Sequence, residues 1–257
     1  MWMWKLTALP FVNLSMKKLL QFLVCSFLVA NNICVAKISS FEGIAVDKKT
    51  GKFIYKEVHK ITYDLENKVK NVDTSYLNAE DKVIANLKSD FTKSTSAPDH
   101  VFEDMRFKDK YELISKGNVW SLGKVFLKNE KLVKQSTTLV KEKEQGFIYV
   151  AGPGLFFYLQ SLGDGLKAKF TSPLKIKFII PGKLDYYNFT MNLESAKQDK
   201  YKFKLVPRHL LFKVFGPDMK FLFNNKNRRL ISYEGLSNVK SPNGKLGVVK
   251  IEYKYNN

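Results

Sequence analysis

Glu57 and His59 stand two positions apart in the run Tyr55-Lys-Glu-Val-His-Lys-Ile61. In a strand, that spacing sets both on one face with Tyr55 and Ile61, directed at the apolar side. A carboxylate placed there is costly to bury unless it is paired. Asp104 and Arg106, also two apart, are the partners a second strand could bring. The four would form a polar centre that holds a ligand headgroup or performs acid–base work, provided they come within hydrogen-bond reach. The plainer outcome of the same residues is a satisfied internal ion pair.

Other chemistries find little material. The three histidines (His59, His100, His209) are far apart, with no H-x-x-x-H or H-E-x-x-H spacing, so no metal site is expected. Ser161 sits in Gln160-Ser-Leu-Gly163, which lacks the leading glycine of a nucleophile elbow. A G-x-x-x-x-G-K-[ST] phosphate loop is absent, and Gly152-Pro-Gly154 runs straight into apolar residues instead of completing a dinucleotide fingerprint. No cofactor is expected, and no residue is assigned a catalytic role.

Period-2 patterns dominate the chain. Phe53, Tyr55, Ile61 and Tyr63 alternate with polar residues, as do Val83, Ala85, Leu87 and Phe91. The same alternation recurs at Tyr187 to Leu193, at Tyr201 to Leu205, and at Val249, Ile251, Tyr253 and Tyr255. Asn224-Asn-Lys-Asn227 reads as a hairpin turn, and Ser241-Pro-Asn-Gly244 as the turn before the last strand. One segment breaks the pattern. Leu155-Phe-Phe-Tyr-Leu159, bounded by Gly154 and Gly163, predicts a short apolar helix, a core element or a plug over one open end. Phe157 and Tyr158 on it are the aromatic candidates for ligand contact. The fold expected is mainly β, a curved antiparallel sheet forming a half-barrel or barrel with that one short helix, because eight or more strands must curl or stack to cover their apolar face.

The first 36 residues are of another kind. Lys17-Lys18 precede an apolar run of 12 residues, 19–30, and Cys34-Val-Ala36 offers small residues for cleavage. This is the layout of a secretory signal peptide, with translation starting at Met1 or Met16. Residues 37–257 then form a single β-rich domain of 221 residues with neither cysteine, long enough to bury a core without disulfides. The leader holds three of the 43 basic residues and none of the 24 acidic ones, so the domain keeps about +16. That charge favours an anionic membrane surface over specific nucleic-acid binding, since the lysines are scattered singly along strands.

Four short motifs carry a resemblance. They are Tyr55-Lys-Glu57-Val-His59; Pro98 with Asp104-Met-Arg106; Gly146-Phe147 with Phe157, Leu162 and Gly165; and Arg229-Leu with Tyr233-Glu-Gly235-Leu-Ser-Asn238. In this order the chain resembles a family of uncharacterised exported proteins of Gram-negative bacteria, with Gln145 standing where an acid is expected. The resemblance implies a periplasmic β-sheet that wraps a greasy cavity, similar in architecture to lipoprotein carriers. The expectation is a non-catalytic envelope protein, periplasmic or secreted. It binds a hydrophobic or amphipathic small molecule in an apolar pocket of a few hundred cubic ångströms. The alternatives are an envelope hydrolase or isomerase centred on Glu57, His59, Asp104 and Arg106, and a structural or interaction protein.

Overall fold

The computed structural model describes residues 37–142, 144–208 and 218–256. Residues 1–36, where a leader is expected and both cysteines lie, and His209 are outside them. The described residues build one 15-stranded sheet with its own apolar clusters.

Eight strands run outward from the centre. They are β1 (Ile38–Asp47), β2 (Phe53–Tyr63), β3 (Val69–Leu77), β4 (Val83–Asp90), β5 (Asp99–Asp104), β6 (Asp109–Lys116), β7 (Val119–Lys128) and β8 (Lys131–Val140). The chain then crosses to the opposite edge. It returns through β9 (Phe147–Ala151), β10 (Leu174–Ile180), β11 (Asp185–Lys197), β12 (Lys200–Pro207), β13 (Met219–Asn224), β14 (Arg229–Lys240) and β15 (Leu246–Tyr255). Neighbours pair in the order β8 to β1, then β15 down to β9. Every pairing is antiparallel except β9 with β10, which is parallel. A parallel pair needs a crossover. Helix α1 (Gly154–Ser161) and the single turn α2 (Leu166–Lys169) supply it.

This order forces the sheet to roll. Fifteen flat strands would spread about 67 Å at the usual strand spacing. Yet β8 and β9, the two edges, are joined by residues 141–146 alone. A link of that length reaches at most about 25 Å.

The edges do not meet by hydrogen bonds; they overlap. Leu113 and Leu122 lie on the concave side of β6–β7, in the same cross-strand row as Ile61 and Val72, and the Trp120–Leu139 pair lies two residues along on the same face. They pack on Tyr149, Ala151, Ile179 and Tyr186, which alternation places on the convex side of β9–β11. The Trp120 and Tyr149 rings lie 4.6 Å apart in this seam. The overlap also buries Lys177, whose ammonium contacts Glu144 at 2.6 Å and Glu142 at 3.2 Å and sits 4.6 Å over the Tyr186 ring. Burial alone would lower its pKa, but hydrogen bonds to the two carboxylates and to Tyr186 raise it overall.

The roll has two unlike ends. At one, α1 fills the space between Phe41, Ile61, Val72 and Phe91 on one wall and Phe189, Met191, Phe203 and Phe223 on the other. Leu155, Phe156, Phe157 and Leu159 of α1 are buried there, and the helix carries no charge. Such a helix is too short to stand alone, and apolar packing holds it. Its first residue must be glycine, because a Cβ on Gly154 would come within 1.9 Å of the Ser96 carbonyl oxygen. At the other end, Tyr55, Tyr76, Ala85, Phe102, Val239 and Val249 make a second cluster.

Candidate functional site

One cross-strand row runs along the concave wall between the two ends: Tyr253, Gly43, Glu57, Tyr76, Ala85, Asp104 and Asp109. Glu57 is 3% exposed. Strand parity puts it inside, and its hydrogen bonds explain why it stays. His59 Nε2–H donates to Glu57 Oε2 at 3.0 Å, and the Tyr253 hydroxyl donates to the same oxygen at 3.3 Å. A neutral His59 then has Nδ1 free to accept from the Thr74 hydroxyl at 2.8 Å. The imidazole stacks on Phe41 at 4.2 Å, and Phe41 stacks in turn on Tyr255 at 4.8 Å. Gly43 makes room for this arrangement. The Tyr253 ring lies across it, and a Cβ there would meet that ring at 2.7 Å.

Four phenols surround this carboxylate. Tyr55 and Tyr76 are fully buried and meet edge to face at 5.5 Å. Tyr233 and Tyr253 complete the ring. Burial pushes all four phenol pKa values up, and the negative charge of Glu57 pushes them further.

Asp104 and Arg106 do not join Glu57 and His59. Asp104 shares the row, but three strand spacings away, on the order of 14 Å. Its partner is Arg106, which grips it with Nε at 3.0 Å and Nη2 at 2.7 Å. Nη2 also donates to the Lys240 carbonyl at 2.7 Å, and Lys240 Nζ bonds Asp109. The Tyr111 hydroxyl donates to Asp109 at 3.2 Å. This second group is a clamp. It ties the β5–β6 turn to the end of β14, six strand steps away and about 29 Å distant in a flat sheet. The expected four-residue centre is therefore two pairs with separate work.

Of the aromatic candidates, Phe157 is buried against Phe91 and Phe156, each at 4.8 Å. Tyr158 is half-buried at the border of the same cluster. His100 is buried; its Nδ1–H donates to the Pro98 carbonyl at 3.1 Å, and burial holds its pKa down. Among the described residues no group of His, Asp and Glu is arranged to hold a metal ion.

The Glu57–His59–Thr74 chain has the order in which a carboxylate orients an imidazole toward a hydroxyl. Thr74, however, is buried, so its hydroxyl faces packed side chains. An open depression of about 320 Å³ lies elsewhere, lined by Phe53, Lys56, Asn78, Ala79 and Asp81. On the concave side, the volume expected for a ligand is taken by α1. Tyr63, Tyr158, Phe170, Phe178, Tyr201 and Tyr255 remain half-buried against the cluster that α1 joins. Sequence reasoning missed Thr74, Tyr76 and Tyr253. Tyr253 stood in an alternating run and Thr74 and Tyr76 in none that was read, and which strands lie beside β2 was not visible. The chain matches no family model, no curated protein and no solved structure.

Proposed function

We propose that the chain is an exported envelope protein that binds the apolar part of an amphipathic, lipid-like molecule without catalysis, at the end of the roll where α1 sits. The observation that carries this reading is the set of half-buried aromatics packed against the apolar cluster that α1 joins. The helix is tied in mainly by interchangeable apolar contacts. Its caps have no side-chain hydrogen bond, and Gln160 Nε2 to the Arg228 carbonyl is its polar tie to a strand end. Gly152 and Gly163 flank it at positive φ, +49° and +52°. An acyl chain entering there replaces contacts of the same kind. Glu57 and His59 lie deeper, beyond Phe41, and order the wall without touching the ligand. The resemblance to exported bacterial β-sheet proteins and the leader-like first 36 residues point to the same compartment.

The test is native mass spectrometry of protein purified without detergent from its own cell envelope, followed by organic extraction. A lipid-like adduct in stoichiometric amount is the expected result. Protein at its bare mass that also leaves a fluorescent fatty acid unbound would sink the reading.

A further inference from the structure

The β7–β8 hairpin runs on past its neighbour β6. The last β6 pairing is Lys110 with Val125, whereas β7 and β8 continue pairing through Phe126–Val133, Leu127–Leu132 and Lys128–Lys131. A two-residue turn closes it, with Asn129 and Glu130 both at positive φ. Two features of this tip go unanswered within the fold. Leu132 is 59% exposed and Leu127 38%, directly opposite each other on one face. On the other face Lys128 and Lys131 are directly opposite, a like-charge cross-strand pair that destabilises a hairpin. Lys124 and Lys134 add two more cations; Lys124 sits over the Phe126 ring, and Glu130 is the one acid on the tip. Among the described residues, none of these four lysines is paired with a carboxylate.

We infer that this tip docks the protein end-on on an anionic lipid bilayer, with Leu127 and Leu132 entering the interface on one face and the four lysines meeting lipid phosphates on both. Aliphatic pairs among cations gain from an acyl boundary. A nucleic acid would offer them nothing comparable, because single strands are held by stacking on aromatic platforms. The β8 edge beside the tip carries Lys131 and Lys134 and no acid, which disfavours pairing with a second copy of itself. The inference stands apart from the ligand reading. A protein that binds vesicles and carries no lipid would overturn only the latter.

The test is co-sedimentation of residues 37–257, which hold every strand and cluster of the fold, with phosphatidylcholine vesicles made with and without phosphatidylglycerol. The parent is expected to bind only the anionic vesicles, and less as salt rises. Lys128→Gln with Lys131→Gln should weaken binding roughly 25-fold, at about fivefold per lysine. Leu127→Asn with Leu132→Asn should weaken it at least about tenfold. The lysine variant should also resist urea at least as well as the parent, since a repulsive pair is gone, so weaker binding cannot be misfolding. A Leu132→Trp variant should show blue-shifted tip fluorescence on anionic vesicles, with buried Trp120 as the constant background. Equal binding by parent and variants, or equal binding to both vesicle types, would overturn the inference. So would binding to DNA or an acidic peptide with none to either vesicle.

Discussion

Raising the pH above about 10 is expected to unfold this protein steeply, with tyrosinate absorbance and loss of the β-sheet circular dichroism rising together. A phenol whose folded pKa lies above its unfolded value near 10 contributes stability that is fully present below that value. It is lost as pH climbs toward the folded pKa, because only the unfolded chain releases the proton. Tyr55 and Tyr76 are fully buried, with pKa values raised first by burial and then by Glu57. Each removes about 1.4 kcal/mol per pH unit in that window. Half-buried Tyr233 and Tyr253 add a smaller share, so the total is on the order of 3–5 kcal/mol per unit. Against the usual 5–15 kcal/mol of domain stability, the transition should fall within about two pH units. Tyr76→Phe should make the slope with pH shallower by about 1.4 kcal/mol per unit, because one buried phenol no longer holds a proton that the unfolded chain releases. Slope is the quantity to compare, since the substitution also removes a buried hydroxyl. Tyrosines that titrate near their ordinary value while the circular dichroism holds would refute this account of the polar centre.

The curved β architecture was legible because its signal is local. Alternation at Phe53 to Tyr63, at Tyr201 to Leu205 and at Val249 to Tyr255 marks strands that the structure contains, and Leu155 to Leu159 is the helix. The pairing order is not local. Nothing in Tyr253 announces that it lies two strands from Glu57, since 196 residues separate them. The same holds for the clamp. Asp104 and Arg106 looked like partners for Glu57 because their types fit, but register sets them three strands away. Residue type proposes an ion pair; strand order decides which one forms. Strands with weak alternation were also hard to see. In β8, Lys131 to Val140 is almost wholly exposed and so has no buried face to impose a period. In β10, Lys177 sits at a position that only the overlap of the sheet edges makes interior. That overlap depends on the short link between β8 and β9, a constraint legible only once both strands are known to be edges.

The clamp should yield the other large effect. Arg106→Ala leaves Asp104, 1% exposed, with no guanidinium and frees the Lys240 carbonyl. Removing one partner of a buried ion pair costs about 3–5 kcal/mol, because the remaining charge is left without compensation. Arg106 itself is 27% exposed, so water reaching its flank holds the figure toward the lower end. Replacing both, as Asp104→Leu with Arg106→Met, should recover most of the loss, since an apolar pair of similar volume does without either charge. Urea denaturation of parent, both single variants and the double variant gives the coupling directly. The clamp joins strands that a flat sheet would hold far apart, so a measured loss near zero for Arg106→Ala would mean that the seam and α1 keep the roll closed unaided. A loss of the expected size, with vesicle and lipid binding unchanged, would place Asp104 and Arg106 in the architecture and leave the functional surfaces to α1 and the hairpin tip. The two ends of the roll would then divide the work: one braced by charge, the other closed by a helix that apolar contacts alone can replace.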